Sequence, residues 1–123
     1  MDLHRLVERF EQCNIMVIGD VVADRSVVGR PERISREAPV LILAHERTEI
    51  LPGGAANTMN NIRDLGAHVF AAGVVGRDEP GRAIMDALAG KGVDTGMMIV
   101  ESDRKTVTKT RVWASDSSAV KQQ

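Results

Sequence analysis

Leu3, Leu6, Val7 and Phe10 recur at the spacing of one helical face, so the chain opens on an amphipathic helix, with Asp2 at its N-cap or first turn. Residues 15–18 form an unbroken apolar run ending in Gly19-Asp20, the pattern of a buried parallel strand that delivers a loop at its C-terminal end. Residues 26–29 and 40–44, rich in β-branched and apolar side chains, predict two strands joined by a long polar excursion over 30–39. Residues 47–51 predict a further strand, closed by Pro52-Gly53-Gly54. Ala55, Ala56, Met59, Ile62 and Leu65 then mark a helix ending at Gly66.

The alternation continues with a strand over 68–75 that finishes in Gly76-Arg77-Asp78. Ala83, Ile84, Ala87 and Leu88 define the next helix, stopped by Gly90 and Gly92. Residues 97–100 predict a short strand, and 105–114, rich in Thr and Val, an extended segment. Strands alternating with helices specify an α/β fold with a mainly parallel sheet. The strands near Ser26 and Val40 lack a crossover helix and predict a separate antiparallel flap. The 123 residues, 43% of them hydrophobic, suit one domain, with no internal repeat or low-complexity linker.

Charge and composition narrow the ligand class. A net charge of −1 gives no broad pull toward nucleic acid or an anionic membrane. An aromatic content of 2%, with no Tyr, argues against a base-stacking surface. Small neutral or modestly charged ligands fit better. The longest apolar runs, such as 69–75, fall short of the roughly 20 residues that span a bilayer, and the N-terminus lacks a signal-peptide pattern. No membrane partner is expected. Cys13, without a disulfide partner, reads as a small core residue, and its isolation favours the cytoplasm. His4, His45 and His68 are too scattered to suggest a metal site.

Ligands of open α/β sheets bind outside the carboxyl ends of the strands, which directs attention to three loops, 19–25, 52–57 and 76–81. In the first, Asp20 and Asp24 are either acceptors for sugar hydroxyls or turn and capping residues. In the second, Gly53 and Gly54 allow close backbone approach at a helix start. Asn57 is there either a hydroxyl ligand or a cap. This loop is neither a P-loop nor a dinucleotide fingerprint. In the third, Asp78 reads as a helix cap. Strand alternation puts Val107, Lys109, Arg111 and Trp113 on one face, where Lys109 and Arg111 either clamp a phosphate or guard a solvated strand edge.

Five segments occur in a telling order: Ile18-Gly19-Asp20-Val21-Val22-Ala23-Asp24-Arg25, Arg33-Ile34-Ser35-Arg36-Glu37-Ala38-Pro39-Val40, Pro52-Gly53-Gly54-Ala55-Ala56-Asn57, Val74-Val75-Gly76-Arg77-Asp78-Glu79-Pro80-Gly81 and Thr108-Lys109-Thr110-Arg111. Together they resemble the ribokinase, or phosphofructokinase-B, family of carbohydrate kinases over essentially the whole chain. The second and fifth resemble the heptose 7-phosphate kinases, often fused to an adenylyltransferase on the route to ADP-heptose. The resemblance implies the N-terminal part of a ribokinase-like three-layer fold, with a small β-lid over about residues 25–50 that also builds a homodimer. It implies sugar-hydroxyl contacts at Asp24 and Asn57, close approach at Gly53 and Gly54, and Asp20 as a neighbour; our own reading adds Lys109 and Arg111 as cations for the substrate's phosphate, because a sugar phosphate needs cations that a plain sugar does not. ATP and Mg2+ are implied as well.

This chain carries Ser26-Val27-Val28 where the family has aromatics, a difference that bears on lid packing or substrate choice. The family's aspartate-threonine-x-glycine-alanine-glycine-aspartate stretch, which forms an anion hole beside the catalytic aspartate, has no counterpart. The expectation is therefore a sugar-binding part that ends mid-domain and does not turn over ATP alone. Two alternatives stay open: a non-catalytic sugar-phosphate binding or oligomerisation module, and a sugar or nucleoside kinase of the same family with other specificity.

Overall fold

A computed structural model describes residues 3–116 and 119–122. The apolar N-terminus forms α1 (Leu3–Glu8) and then a 3-10 turn (Arg9–Gln12), while its expected cap, Asp2, lies outside the described residues. No residue of α1 is buried. The turn closes with the Cys13 amide donating to the Phe10 carbonyl and leaves Cys13 exposed, which corrects its reading as a core residue. β1 (Asn14–Ile18) leads almost directly into β2 (Val21–Ile34), which returns as β3 (Leu41–Gly54). There follow α2 (Ala55–Asp64), β4 (His68–Gly76), α3 (Glu79–Gly90), β5 (Asp94–Glu101), β6 (Val107–Asp116) and β7 (Ala119–Gln122).

Two sheets result. One is parallel, in the order β1-β4-β5; the other, β3-β2-β6-β7, is mixed, with β2 antiparallel to β3 and parallel to β6. The flap is thus a real second sheet, but its strands are longer than the sequence pattern implied. Segments expected as 26–29, 40–44 and 47–51 are pieces of one hairpin, and only residues 35–40 connect its arms. Polar residues 30–34 remain in strand because the hairpin tip is solvated on both faces. Pro31 fits beside a register shift between Pro31 and Arg33, where the ladder needs no regular donor.

One face of the parallel sheet carries the core. Ala56 and Met59 from α2, and Ile84 and Leu88 from α3, pack with Val69, Ala71 and Val75 of β4 and with Val21 and Ala23 of β2. Each large aliphatic chain so buried contributes about 1.5–3 kcal/mol. The helices follow their sequence signals: α3 starts on Asp78 with Pro80 in its first turn, and Gly92, at φ 77°, lets the chain leave it for β5. Val21 and Ala23 sit in that cluster while the rest of β2 runs out into the flap, so the core anchors the second sheet to the first.

Among the described residues the opposite face of the parallel sheet is open. Met16, Ile18, Met97 and Ile99 point there, with Ile18 75% and Ile99 60% exposed. The apolar run 15–18 is therefore a strand buried on one face, not both. Val17 packs against the core while its neighbours Met16 and Ile18 alternate to the other side.

Candidate functional site

The expected ligand loops are tighter than their sequences suggest. Only Gly19 and Asp20 separate β1 from β2, so Asp24 lies within a strand, beside Leu51 of β3 and Lys109 of β6 in register. Its Oδ1 accepts a hydrogen bond from Arg111 Nη1 at 3.1 Å, with both side chains about one-third exposed (Arg111 32%, Asp24 35%). That excludes the turn or cap role for Asp24. A pair this exposed adds at most about 1 kcal/mol to stability, so its main effect is to orient the carboxylate.

Gly53 and Gly54 close the site from β3. A Cβ on Gly53 would meet Asp24 Oδ2 at 2.6 Å, so only glycine lets the carboxylate lie against this strand. Gly54 has φ 57°, and a Cβ there would meet the Asp20 carbonyl oxygen at 2.5 Å. The same carbonyl accepts a hydrogen bond from the Ala55 amide at 2.9 Å, which ties the β1–β2 connection to the start of α2. Gly54 itself is the N-cap of α2 and supplies no side-chain bond, so Asn57 is not the cap. The Asn57 side chain is exposed in the first turn and makes no hydrogen bond among the described residues.

The structure therefore brings Asp24, Gly53 and Arg111 into contact, places Lys109 beside Asp24, and joins Gly54 to Asp20 through backbone atoms. Asn57 stands near this group in sequence but is bonded to none of it. β7 pairs with β6 only from Trp113 to Asp116, so among the described residues β6 has an open edge at Lys109 and Arg111. Lys109 is exposed there, whereas Arg111 is turned to Asp24 and keeps its remaining donors free.

Beside this group a cleft of about 280 Å3 is lined by Ile18, Gly19, Asp20, Val21, Gly73, Val74, Arg104 and Val107. Arg104 was not singled out from sequence, because it lies in the polar connection between β5 and β6 and carries no motif of its own. Asp78 caps α3 as expected: its Oδ1 accepts from the Gly81 amide at 3.0 Å. It also receives the Thr106 amide at 3.0 Å and the Thr106 hydroxyl at 2.6 Å. These Thr106 bonds, aided by the Gly81 amide and Lys105, hold the Asp78 carboxyl below its ordinary value against the opposing effect of burial. Among the described residues no group of three or more His, Cys, Asp or Glu is placed to hold a metal ion.

The profile of the pfkB family carbohydrate kinases matches residues 12–119. Curated relatives include a protein named bifunctional protein HldE from Azorhizobium caulinodans, 46% identical over 108 residues that make up 87% of this chain and 22% of the relative. Another of that name, from Geobacter metallireducens, is 45% identical over 88% of this chain and 22% of its own length. The chain thus spans under a quarter of these relatives. Solved structures with a similar fold include an Arabidopsis thaliana ribokinase complexed with ribose and ATP (TM-score 0.66, 21% identity, covering 90% of this chain and 35% of that one). The phosphofructokinase-2 of Escherichia coli in complex with fructose-6-phosphate is similar too (TM-score 0.62, 18% identity, 89% and 34% covered). Fold, motif order and matched span agree, and the chain belongs to the pfkB family of carbohydrate kinases.

Proposed function

We propose that this chain is the sugar-binding part of an ATP-dependent sugar-phosphate kinase that phosphorylates the anomeric hydroxyl of heptose 7-phosphate on the route to ADP-heptose. The observation that carries the proposal is the convergence of Asp24, Gly53 and Arg111 at the junction of β2, β3 and β6. The substrate class is supported by segments 33–40 and 108–111, which resemble heptose 7-phosphate kinases, and by relatives that bear the name HldE.

Asp24, oriented by Arg111, accepts hydrogen bonds from sugar hydroxyls. Asp20 offers a second acceptor and Asn57 both a donor and an acceptor. Gly53 and Gly54 let the sugar approach the backbone, and Lys109 with the open donors of Arg111 attracts the phosphate already on the substrate. In the transfer, a P–O bond forms at the anomeric oxygen, the bond to the departing ADP breaks, and the hydroxyl proton passes to a base. These residues hold the acceptor sugar. They build no cradle for nucleotide phosphates, so no step is assigned to them through ATP or Mg2+.

Binding to the 123-residue chain, measured calorimetrically for heptose 7-phosphate, ribose and adenosine, tests the proposal. Preference for heptose 7-phosphate supports it and preference for adenosine overturns it. Gly53→Ala is expected to weaken sugar binding at least tenfold by displacing Asp24. A coupled assay on the same chain should show no heptose-phosphate-dependent ADP release.

We also assign the β2–β3 hairpin as a lid that pairs two copies, since Ile34, Val40 and Leu41 are exposed at its tip. Sedimentation velocity should show a dimer that Ile34→Asp converts to monomer; a wild-type monomer would sink the assignment. A cytoplasmic location follows, because ATP is the proposed phosphoryl donor.

A further inference from the structure

Arg104 is an exposed arginine whose side chain has neither a hydrogen bond nor an ion pair among the described residues, in a segment that is anchored two residues later at Thr106. The Gly76 amide donates to Thr106 Oγ1 at 2.9 Å, and the Thr106 amide and hydroxyl both donate to Asp78. The Arg104 carbonyl packs directly on Gly76, where an added Cβ would meet it at 2.5 Å. The connection between β5 and β6 is thus bonded to the start of α3 at Thr106, with the Arg104 carbonyl close against Gly76 at the end of β4. The side chain of Arg104 has no such restraint and lines the cleft beside Asp20.

The rest of that cleft suits an anion with hydroxyls. Ile18, Val74 and Val107 give it apolar walls. Asp20 and Arg104 line it without forming an ion pair within 4.0 Å, so an acceptor for hydroxyls and a donor for an anion remain separately available. Its volume of about 280 Å3 lies near the small end of ligand sites. The other cations differ: Arg111 already spends a donor on Asp24, and Lys109 is a flexible point charge.

We infer that Arg104 joins Lys109 and Arg111 in binding the phosphoryl group carried by the sugar substrate and sets the preference for a sugar phosphate over the free sugar. The inference rests on the sugar-phosphate reading proposed above. The planar guanidinium matches two phosphate oxygens at once. Asp78 and Thr106 are positioning residues for it, holding the segment from which Arg104 reaches the cleft.

The test compares dissociation constants of wild type, Arg104→Met and Arg104→Lys for heptose 7-phosphate, unphosphorylated heptose and ATP, with the thermal midpoint recorded for each. Arg104→Met keeps the apolar stem, and an exposed side chain leaves folding intact. The expected result is a loss of roughly ten- to a hundredfold for heptose 7-phosphate, the scale of one charge-assisted hydrogen bond. Affinity for heptose stays unchanged, and Arg104→Lys recovers part of the loss. An unchanged phosphate preference in Arg104→Met overturns the inference alone, as does a loss confined to ATP. A wild-type chain with no preference for the phosphorylated sugar overturns the sugar-phosphate reading and the inference with it.

Discussion

Asp78 carries three hydrogen bonds on one carboxylate, from the Gly81 amide and from the amide and hydroxyl of Thr106. Their donors favour the ionised form, so the folded chain holds this group below its ordinary value of 3.8. The contribution to stability is full above the unfolded value and is lost as the pH falls through the lower folded one. Asp78→Ala should cost roughly 2 kcal/mol in urea unfolding at neutral pH, the sum of a lost cap and a lost charged hydrogen bond. Asp78→Asn should flatten the decline of the urea midpoint below about pH 4; an unaltered acid limb would refute this account. The cap was legible because Asp-Glu-Pro-Gly announces a helix start locally. Its bonds to Thr106 were not, because the two residues lie 28 positions apart.

The helices kept close to their sequence signals. α2 and α3 were readable from apolar spacing and glycine stops, and of the positions that spacing selects Ala56, Met59, Ile84 and Leu88 are buried. Leu88 is fully buried, whereas Leu65, just past the end of α2, is 58% exposed. Leu88→Ala should therefore cost about 2–4 kcal/mol and Leu65→Ala under about 0.5, as read from chemical denaturation. Comparable losses at both sites would contradict the packing described. The flap strands resisted the same treatment. Alternation ran through polar residues 30–34 and past Pro31, which local propensity assigns to a loop but pairing with β3 keeps in a ladder.

At the scale of the molecule, the open face of the parallel sheet is its least ordinary surface, since such sheets are normally covered on both sides. Met16, Ile18, Met97 and Ile99 should give the folded 123-residue chain strong binding of an apolar dye such as ANS. Ile18→Ser with Ile99→Thr should reduce that fluorescence without lowering the thermal midpoint. Dye binding unaffected by the pair would place the apolar surface elsewhere.

What the sequence alone determined were the features written within a few residues: the alternation of helices and strands from α2 to β5, the capping Asp78, the glycines at 53 and 54, and the family motifs in their order. Periodicity and turn chemistry act over that range and survive folding. Tertiary structure decided what depends on partners far along the chain. It set β6 beside β2, brought Arg111 to Asp24 across 87 residues, left Cys13 exposed, and placed Arg104 in the cleft beside Asp20. No local pattern records such meetings, because strand pairing and packing choose them only once the whole core has formed.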